Sequence, residues 1–232
     1  MHTFTRQVIP ADIAIRHARE ERHEPLQLRL WKPGDPGRTA AEAFIRERFQ
    51  DSYAADVHIF MPCLLGVTNG NHAITAVIGI RPATGEELFL ENYLDLPAET
   101  ALSRASGIRV QRRQIVEVGN LASSDNESFR TLMIGLVTLL DRLPGTNWIM
   151  CTVGDRLFSL LRRTRFFPLV LEQATQQRLS PQQGNWGSYY RQARRVVAGN
   201  VGYGLRELKR RKLLRPEVVR QVSRLSRDGI FS

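Results

Sequence analysis

The stretch Arg113–Asp141, R-Q-I-V-E-V-G-N-L-A-S-S-D-N-E-S-F-R-T-L-M-I-G-L-V-T-L-L-D, does most to limit the folds open to this chain. Its first part alternates, with Ile115 and Glu117 facing one way and Val116 and Val118 the other, which is strand behaviour. Gly119 and Asn120 then permit a bend. Ser124 and Glu127 have capping-box spacing, so Ser124 is expected to cap a helix. Phe129, Leu132, Met133, Leu136, Val137, Leu140 and Leu143 follow at helical spacing, and Pro144-Gly145 ends the run. The pattern predicts a strand, a polar loop and a helix, with the loop at the helix's positive end. Such a loop suits an anion or a developing oxyanion, and it also occurs in ordinary βα units.

The rest of the chain supplies elements for one mixed α/β domain. Leu26, Leu28 and Leu30 alternate with polar neighbours as a first strand, and a turn follows at Pro33–Gly37. Thr39 with Glu42 is expected to cap a helix whose apolar face is Ala40, Ala43, Phe44, Phe49 and Tyr53. Asn69-Gly70 between Pro62–Val67 and Ala73–Ile80 predicts a hairpin. A short helix starts near Pro97, and Trp148–Val153 reads as an interior strand. Thr152 with Asp155 is expected to cap the next helix, which runs to about Arg163. Short strands are expected at Pro168–Leu171 and around Val196-Val197. Leu205–Leu225 is helical in pattern, with Pro216 dividing it. A further short helix is expected between Ala11 and Glu24. The expected organisation is an N-terminal segment at 1–24, a domain at 25–205 and a basic helical tail at 206–232.

Composition excludes several function classes. Hydrophobic residues make up 42%, which is enough to form a core. Cys63 and Cys151 sit in apolar runs and read as buried thiols, and the five histidines lack ligand spacing, so no metal is expected. No run is long and apolar enough to span a bilayer, and no secretory core opens the chain, so a cytoplasmic location is expected. The net charge is +10, and from Arg206 onward nine Lys/Arg stand against three Asp/Glu. Such a field attracts an acidic protein, an anionic membrane surface or nucleic acid. Nucleic acid is the least favoured, because no base-reading module is visible.

Four segments together carry a family resemblance: L-F-L-E-N-Y-L-D-L-P-A-E (88–99), I-V-E-V-G-N-L-A (115–122), W-I-M-C-T (148–152) and W-G-S-Y-Y (186–190). In this order and spacing they resemble the thermostable hemolysin family over roughly residues 25–205. That family is similar to the GCN5-related N-acetyltransferase (GNAT) superfamily and to acyl-homoserine-lactone synthases. The resemblance implies a GNAT-like α/β domain whose fourth and fifth strands splay apart around the pantetheine arm of an acyl-CoA or acyl-carrier-protein co-substrate, with no tightly bound cofactor. It implies an acyltransferase acting on a small amine-bearing acceptor, with a membrane-perturbing hemolysin and a basic nucleic-acid-binding protein as the competing readings.

The resemblance assigns candidate roles. Glu117 is the base that deprotonates the acceptor, or a structural carboxylate paired with an arginine. Glu91 binds an acceptor ammonium, or holds Arg112 or Arg113. Asn120 donates its amide to a thioester carbonyl, or shapes the bend. Leu121, Ala122, Ser123 and Ser124 form the loop that would meet a donor diphosphate. Trp186, Tyr189 and Tyr190 line an acyl or acceptor pocket or simply pack, and Tyr190 can also return a proton to the leaving thiolate. The chain departs from the superfamily at this loop: Asn120–Glu127 has no glycine and two acids, Asp125 and Glu127, which shifts weight toward an acidic acyl carrier protein or another acyl carrier as donor. It departs again at Thr164-Arg165-Phe166, where glycine is expected, at Ala174-Thr175, where Ala-Asp is expected, and at Ala193–Val196, which lacks a proline. These late departures mark a modified acceptor pocket or simple drift.

Overall fold

The computed structural model describes residues 25–226 apart from 86, 181 and 182. The helix expected within 11–24 and the last residues of the basic tail lie outside the described residues. Seven strands form one sheet in the order β1-β2-β3-β4-β5-β7-β6. They are β1 (Gln27–Trp31), β2 (Cys63–Thr68), β3 (Ile74–Pro82), β4 (Ile115–Ser123), β5 (Trp148–Gly154), β6 (Leu169–Gln173) and β7 (Arg194–Asn200). All neighbours run antiparallel except β4 and β5, which are parallel. The helices are α1 (Arg38–Tyr53), α2 (Ala98–Ser106), α3 (Asn126–Asp141), α4 (Asp155–Arg163), α5 (Val201–Arg210) and α6 (Pro216–Leu225). This is the mixed-sheet, GNAT-like arrangement that the resemblance implies.

Strand alternation divides the core between two faces. Val116, Val118, Ile149 and the Leu28–Leu65–Ile78 set pack against Leu132, Leu136, Leu139 and Leu140 of α3 on one face. On the other, Ile115, Trp148, Met150 and Val196 pack against Leu88, against Leu90 and Tyr93 of the 3-10 turn that follows it (Phe89–Tyr93), and against Ala98 and Leu102 of α2. Further along that face, Leu64, Val77 and Ala122 meet Ala41, Ile45 and Phe49 of α1. A helix-spaced leucine stripe and a period-two strand therefore find each other by burying complementary apolar surfaces.

Several local expectations are corrected. The α3 cap is Asp125, one residue after Ser124: its carboxylate accepts from Ser128 N–H at 2.8 Å. α1 begins after Gly37 with no side-chain cap, so Thr39 lies inside the helix. Its buried face is Ala41, Ile45 and Phe49, whereas Ala40 and Ala43 are exposed; the expected face was out of phase over its first turns. α4 likewise has no side-chain cap, so Thr152 remains a strand residue. The hairpin between β2 and β3 forms, but His72, not Gly70, takes the left-handed conformation (φ 60°). Arg165 also takes that conformation (φ 58°), at the place where glycine was expected.

The basic C-terminal helices pack against the sheet domain. α5 spans the expected 205/206 boundary. Val218 and Val222 of α6 are buried in the α3 core, and Gln221 clasps β1 through Leu28 N–H at 2.6 Å and Leu26 C=O at 3.1 Å. No helix among the described residues is long and apolar enough to cross a membrane.

Candidate active site

β4 and β5 pair for only three rungs: Ile115 with Trp148, Val116 with Ile149 and Glu117 with Met150. Beyond Glu117 they part, β4 continuing beside β3 and β5 beside β7. The facing edges of 118–123 and 151–154 have no strand partner there, so they offer backbone N–H and C=O groups to a visitor. Residues 119–121 and 151–152 are only half-buried although they lie mid-sheet. A bulge sits on β4 at the same level, where the register against β3 slips between Val77 and Gly79. Asn120 there holds a left-handed backbone (φ 49°).

Glu117 stands where the strands part. It is 3% exposed. Its two oxygens accept from the N–H groups of Phe89 and Leu90, each at 2.9 Å. Among the described residues no cation forms an ion pair with it. Burial pushes this carboxyl up to about 7, with the two N–H bonds and the charge of Arg81 pulling down less strongly. A carboxylate that exchanges its proton near neutral pH is suited to general-base work.

Glu91 occupies the same 3-10 turn and is held very differently. Arg112 clamps it through both oxygens at 2.7 and 2.8 Å, and the N–H groups of Leu88 and Ala98 add bonds of 2.8 Å each. Burial would raise it, but the Arg112 bond and these N–H groups prevail and hold it near about 2. Of its two expected roles, the geometry is that of a clamp on Arg112, which also reaches Glu99 at 3.0 Å.

The aromatic block lies on the same face. The hydroxyls of Tyr190 and Tyr93 are hydrogen-bonded to each other. Burial pushes Tyr190 up to about 12 and raises Tyr93 further still, so both stay protonated at neutral pH. Trp186 packs against Phe89 (5.7 Å), Tyr189 (5.4 Å) and Tyr190 (5.9 Å). Tyr189 also packs against Tyr53 at the end of α1 (5.1 Å). Ser188 N–H fastens this segment to Tyr53 C=O at 2.8 Å. Gly187 permits that docking, because a Cβ there would lie 2.2 Å from the same carbonyl oxygen on a backbone of φ +49°.

The other sequence candidates fall in place around the gap. Asn120 uses its amide on the preceding strap, accepting from Met61 N–H at 3.0 Å and donating to Ile59 C=O at 3.1 Å. Both polar atoms are engaged, so its side chain shapes the bulge. Leu121 packs toward α3, Ala122 is buried against α1, and the Ser123 and Ser124 hydroxyls donate to Asp125 in their own loop, with Ser124 also donating to Thr75 C=O on the neighbouring β3. The helix N-terminus beside them already holds the Asp125 carboxylate. Burial would raise that group, but the N–H of Ser128 and neighbouring hydroxyls lower it. Cys151 and Cys63 are free thiols pushed up to about 12 by burial, so neither is a ready nucleophile. No group of three or more potential metal ligands occurs among the described residues.

Sequence reasoning missed Arg194. It is 8% exposed, and its Nε donates to Tyr189 C=O at 2.9 Å. Its guanidinium lies over Tyr189 (4.0 Å) and Tyr53 (5.2 Å), with no carboxylate of the described residues in ion-pair reach. The ring contacts contribute about 2 kcal/mol, against several kcal/mol for removing an ion from water. The signal was present in the sequence: Arg194 alternates in phase with buried Val196 and Ala198, an inward position where a charge is unusual.

Comparison with known proteins bears on this geometry. The family model described as "Thermostable hemolysin" matches residues 31–205. The chain belongs to the thermostable hemolysin family. The family match runs from the last residue of β1 into the first half of α5 and so includes the parting strands, Glu117 and the aromatic block. A search of curated proteins finds no significant match in sequence. Solved structures match the fold. An N-acyl amino acid synthase from uncultured soil microbes, FeeM, superposes with a TM-score of 0.55 at 14% identity, covering 77% of this chain and 92% of that one. TofI in its apo form gives 0.54 at 14% identity over 83% and 99%. The acyl-homoserine-lactone synthase LasI gives 0.50 at 9% identity over 77% and 91%. At these identities the likeness establishes the GNAT-like fold of this hemolysin-family chain.

Proposed function

We propose that this protein is an acyltransferase that moves an acyl group from a thioester to a small amine-bearing acceptor. The observation that carries this reading is Glu117, a buried carboxyl without a cationic partner, poised near neutral pH where β4 and β5 part. The acyl-transfer enzymes named among the fold neighbours favour the same reading. The thioester arm enters the gap and bonds to the free strand edges. The acceptor nitrogen attacks the carbonyl carbon, and Glu117 takes the proton from nitrogen, directly or through one water. Backbone N–H groups at the β4 bulge steady the oxyanion, since the Asn120 amide is engaged elsewhere. The C–N bond forms, the C–S bond breaks, and Tyr190 returns a proton to the departing thiolate.

The donor is an acyl carrier protein in preference to coenzyme A. A diphosphate at the N-terminus of α3 would meet the Asp125 carboxylate, with Glu127 in the first turn. A carrier protein brings its arm on a single phosphodiester and supplies its own acidic surface. Reading the basic residues Arg211, Lys212 and Arg215 as its docking surface is supported by Arg215, which reaches Glu127 in the first turn of α3 at 3.5 Å. The test offers long-chain acyl-coenzyme A and acyl carrier protein separately, each with pooled amines and amino acids, and follows free thiol and product mass. Acceptor-dependent thiol release, faster with the carrier protein and falling sharply in Glu117→Gln, is the expected result. Folded protein that releases no thiol from either donor contradicts the proposal.

A further inference from the structure

The 3-10 turn Phe89–Tyr93 holds more than Glu117. The N–H groups of Phe89 and Leu90 meet the Glu117 carboxylate, and the hydroxyl of Tyr93, the last residue of the turn, is hydrogen-bonded to that of Tyr190. One short turn therefore carries bonds to both side chains that the acyl-transfer reading uses to move protons. The turn is itself fixed. Glu91 accepts from the N–H groups of Leu88 and Ala98 and is clamped by Arg112. The Asn92 amide donates to Phe89 C=O at 2.7 Å and accepts from Gln183 Nε2 at 2.8 Å, which ties the turn to the chain just before the aromatic block. The Phe89 ring packs on Trp186 (5.7 Å) and on Tyr93 (6.1 Å).

The bond between the two hydroxyls has a sense, and burial decides it. Each phenol has one proton, and only one of the two can lie between the oxygens. Tyr93 is 1% exposed, and among the described residues its hydroxyl bonds to Tyr190 alone. If Tyr190 donated, the Tyr93 proton would be buried without an acceptor, an arrangement that folded proteins avoid. If Tyr93 donates, the free proton is that of the half-buried Tyr190, which can give it to a visiting group. The same bond persists after Tyr190 has given its proton up, and it is stronger to the charged phenolate oxygen than to the phenol. Burial pushes Tyr190 up to about 12 and the Tyr93 bond pulls against it, whereas Tyr93 is raised further by its burial and keeps its proton.

We propose that Tyr93 is a positioning residue for proton return: it donates to Tyr190, holds that ring to the turn that also holds Glu117, and steadies the phenolate left when Tyr190 protonates the departing thiolate. This rests on the acyl-transfer reading. In each turnover Glu117 gains the proton of the acceptor nitrogen, and Tyr190 loses its own to sulfur. Glu117 then releases a proton to water and Tyr190 takes one up, so no proton is consumed and both groups return to their starting state. Tyr93 keeps its proton throughout.

The test gives the full chain two dodecanoyl thioesters, of N-acetylcysteamine and of 4-nitrothiophenol, each with pooled amines and amino acids, and takes rates above the uncatalysed background. The first thiol leaves as a basic alkyl thiolate that gains from a proton donor, and the second as a stabilised aryl thiolate that does not. With the N-acetylcysteamine ester, Tyr93→Phe is expected to lower kcat about 10-fold with KM within about twofold, and Tyr190→Phe to lower kcat about 100-fold. The double variant is expected to match Tyr190→Phe, because Tyr93 acts through Tyr190. With the nitrothiophenyl ester all three are expected within about threefold of the wild type. An equal loss on both esters in Tyr93→Phe, or losses that multiply in the double variant, overturns the proposal. A second measurement needs no activity. In proton NMR a hydroxyl resonance with its strongest cross-peak to the Tyr93 ring is expected, absent from Tyr93→Phe and displaced in Tyr190→Phe; a strongest cross-peak to the Tyr190 ring overturns the proposal. Should Tyr93→Phe fail to fold, the ester comparison in Tyr190→Phe and this resonance decide. Thiol release equal in wild type and Tyr93→Phe leaves acyl transfer standing and removes the role of Tyr93. No release from either ester by folded wild type removes the acyl-transfer reading, and the resonance then decides whether Tyr93 holds Tyr190.

Discussion

Two carboxylates meet the same 3-10 turn, and they live in opposite electrostatic regions. On the outer side Glu91 is bound by Arg112 and by two backbone N–H groups, and it is held near about 2. On the inner side Glu117 receives two N–H groups from the same turn but forms no ion pair among the described residues, and burial lifts it to about 7. Each accepts two backbone N–H groups, so those bonds alone do not separate them. What separates them is the guanidinium bonded directly to Glu91, and the deeper burial of Glu117, on which the charge of Arg81 acts without forming an ion pair. The lesson is that a fully compensated acid builds the turn, whereas an uncompensated acid at the parting of two strands is available for proton transfer.

The comparison is broken most severely by removing the inner acid. Glu117→Gln keeps the size and one acceptor for the turn, and it is expected to lower kcat/KM for acceptor-dependent thiol release about 10²–10³-fold. Its fold should hold, because no buried charge is orphaned, and circular dichroism with a thermal melt checks that. The pH dependence of stability runs in opposite senses at the two sites. Glu117 is raised above its unfolded value, so it binds extra protons in the native state and its effect on stability declines as pH rises from about 4.5 to about 7. The decline is on the order of 3 kcal/mol, and Glu117→Gln should flatten it in urea titrations across that window. Glu91 is lowered, so its contribution is present above about 4.5 and is lost as pH falls toward about 2.

Removing the outer acid should damage the fold before the chemistry. Glu91→Ala leaves Arg112 short of its clamp and two N–H groups without an acceptor, at a cost of about 3 kcal/mol. The melting temperature is expected to fall by about 6–12 °C, with activity per folded molecule reduced far less than in Glu117→Gln. An unchanged melt with lost activity would instead place Glu91 in the chemistry. A smaller effect belongs to the donor side. Asp125→Ser keeps a capping oxygen and removes a negative charge, so KM for acyl-coenzyme A should fall about 3–10-fold while KM for acyl carrier protein changes little. The smallest effect is at Cys151, where Cys151→Ala should leave the rate within about twofold, because its thiol stays protonated at neutral pH.

Much of the fold could be read from periodicity. The alternation of Ile115–Val118, the leucine spacing of α3 and the hairpin around Asn69-Gly70 each follow from local chemistry. The α3 cap differed by one residue because Ser124 and Asp125 both offer an oxygen, and only the bend of the chain decides which one meets Ser128 N–H. The placement of β7 between β5 and β6 was not legible, since strand order is set by long-range burial. Glu117 could be singled out as an acid in an apolar strand, but its lack of a cation could not, because Arg112 and Arg113 lie just before it in sequence. Only the fold shows that Arg112 turns to Glu91 and Glu99 instead. Arg194 escaped notice for a similar reason: its importance comes from Gly154 on a neighbouring strand and from aromatic rings on two other segments.

The most direct test of the uncompensated acid is the pH profile of acceptor-dependent thiol release, measured as kcat/KM from pH 5 to pH 9 (roughly that span covers the group) in the wild type and in Glu117→Gln. The account predicts a wild-type rate that rises through an apparent pKa near 7 and a variant whose residual rate lacks that limb. A wild-type profile with no limb near neutral pH, or one retained unchanged in Glu117→Gln, would contradict the assignment of Glu117 as the base.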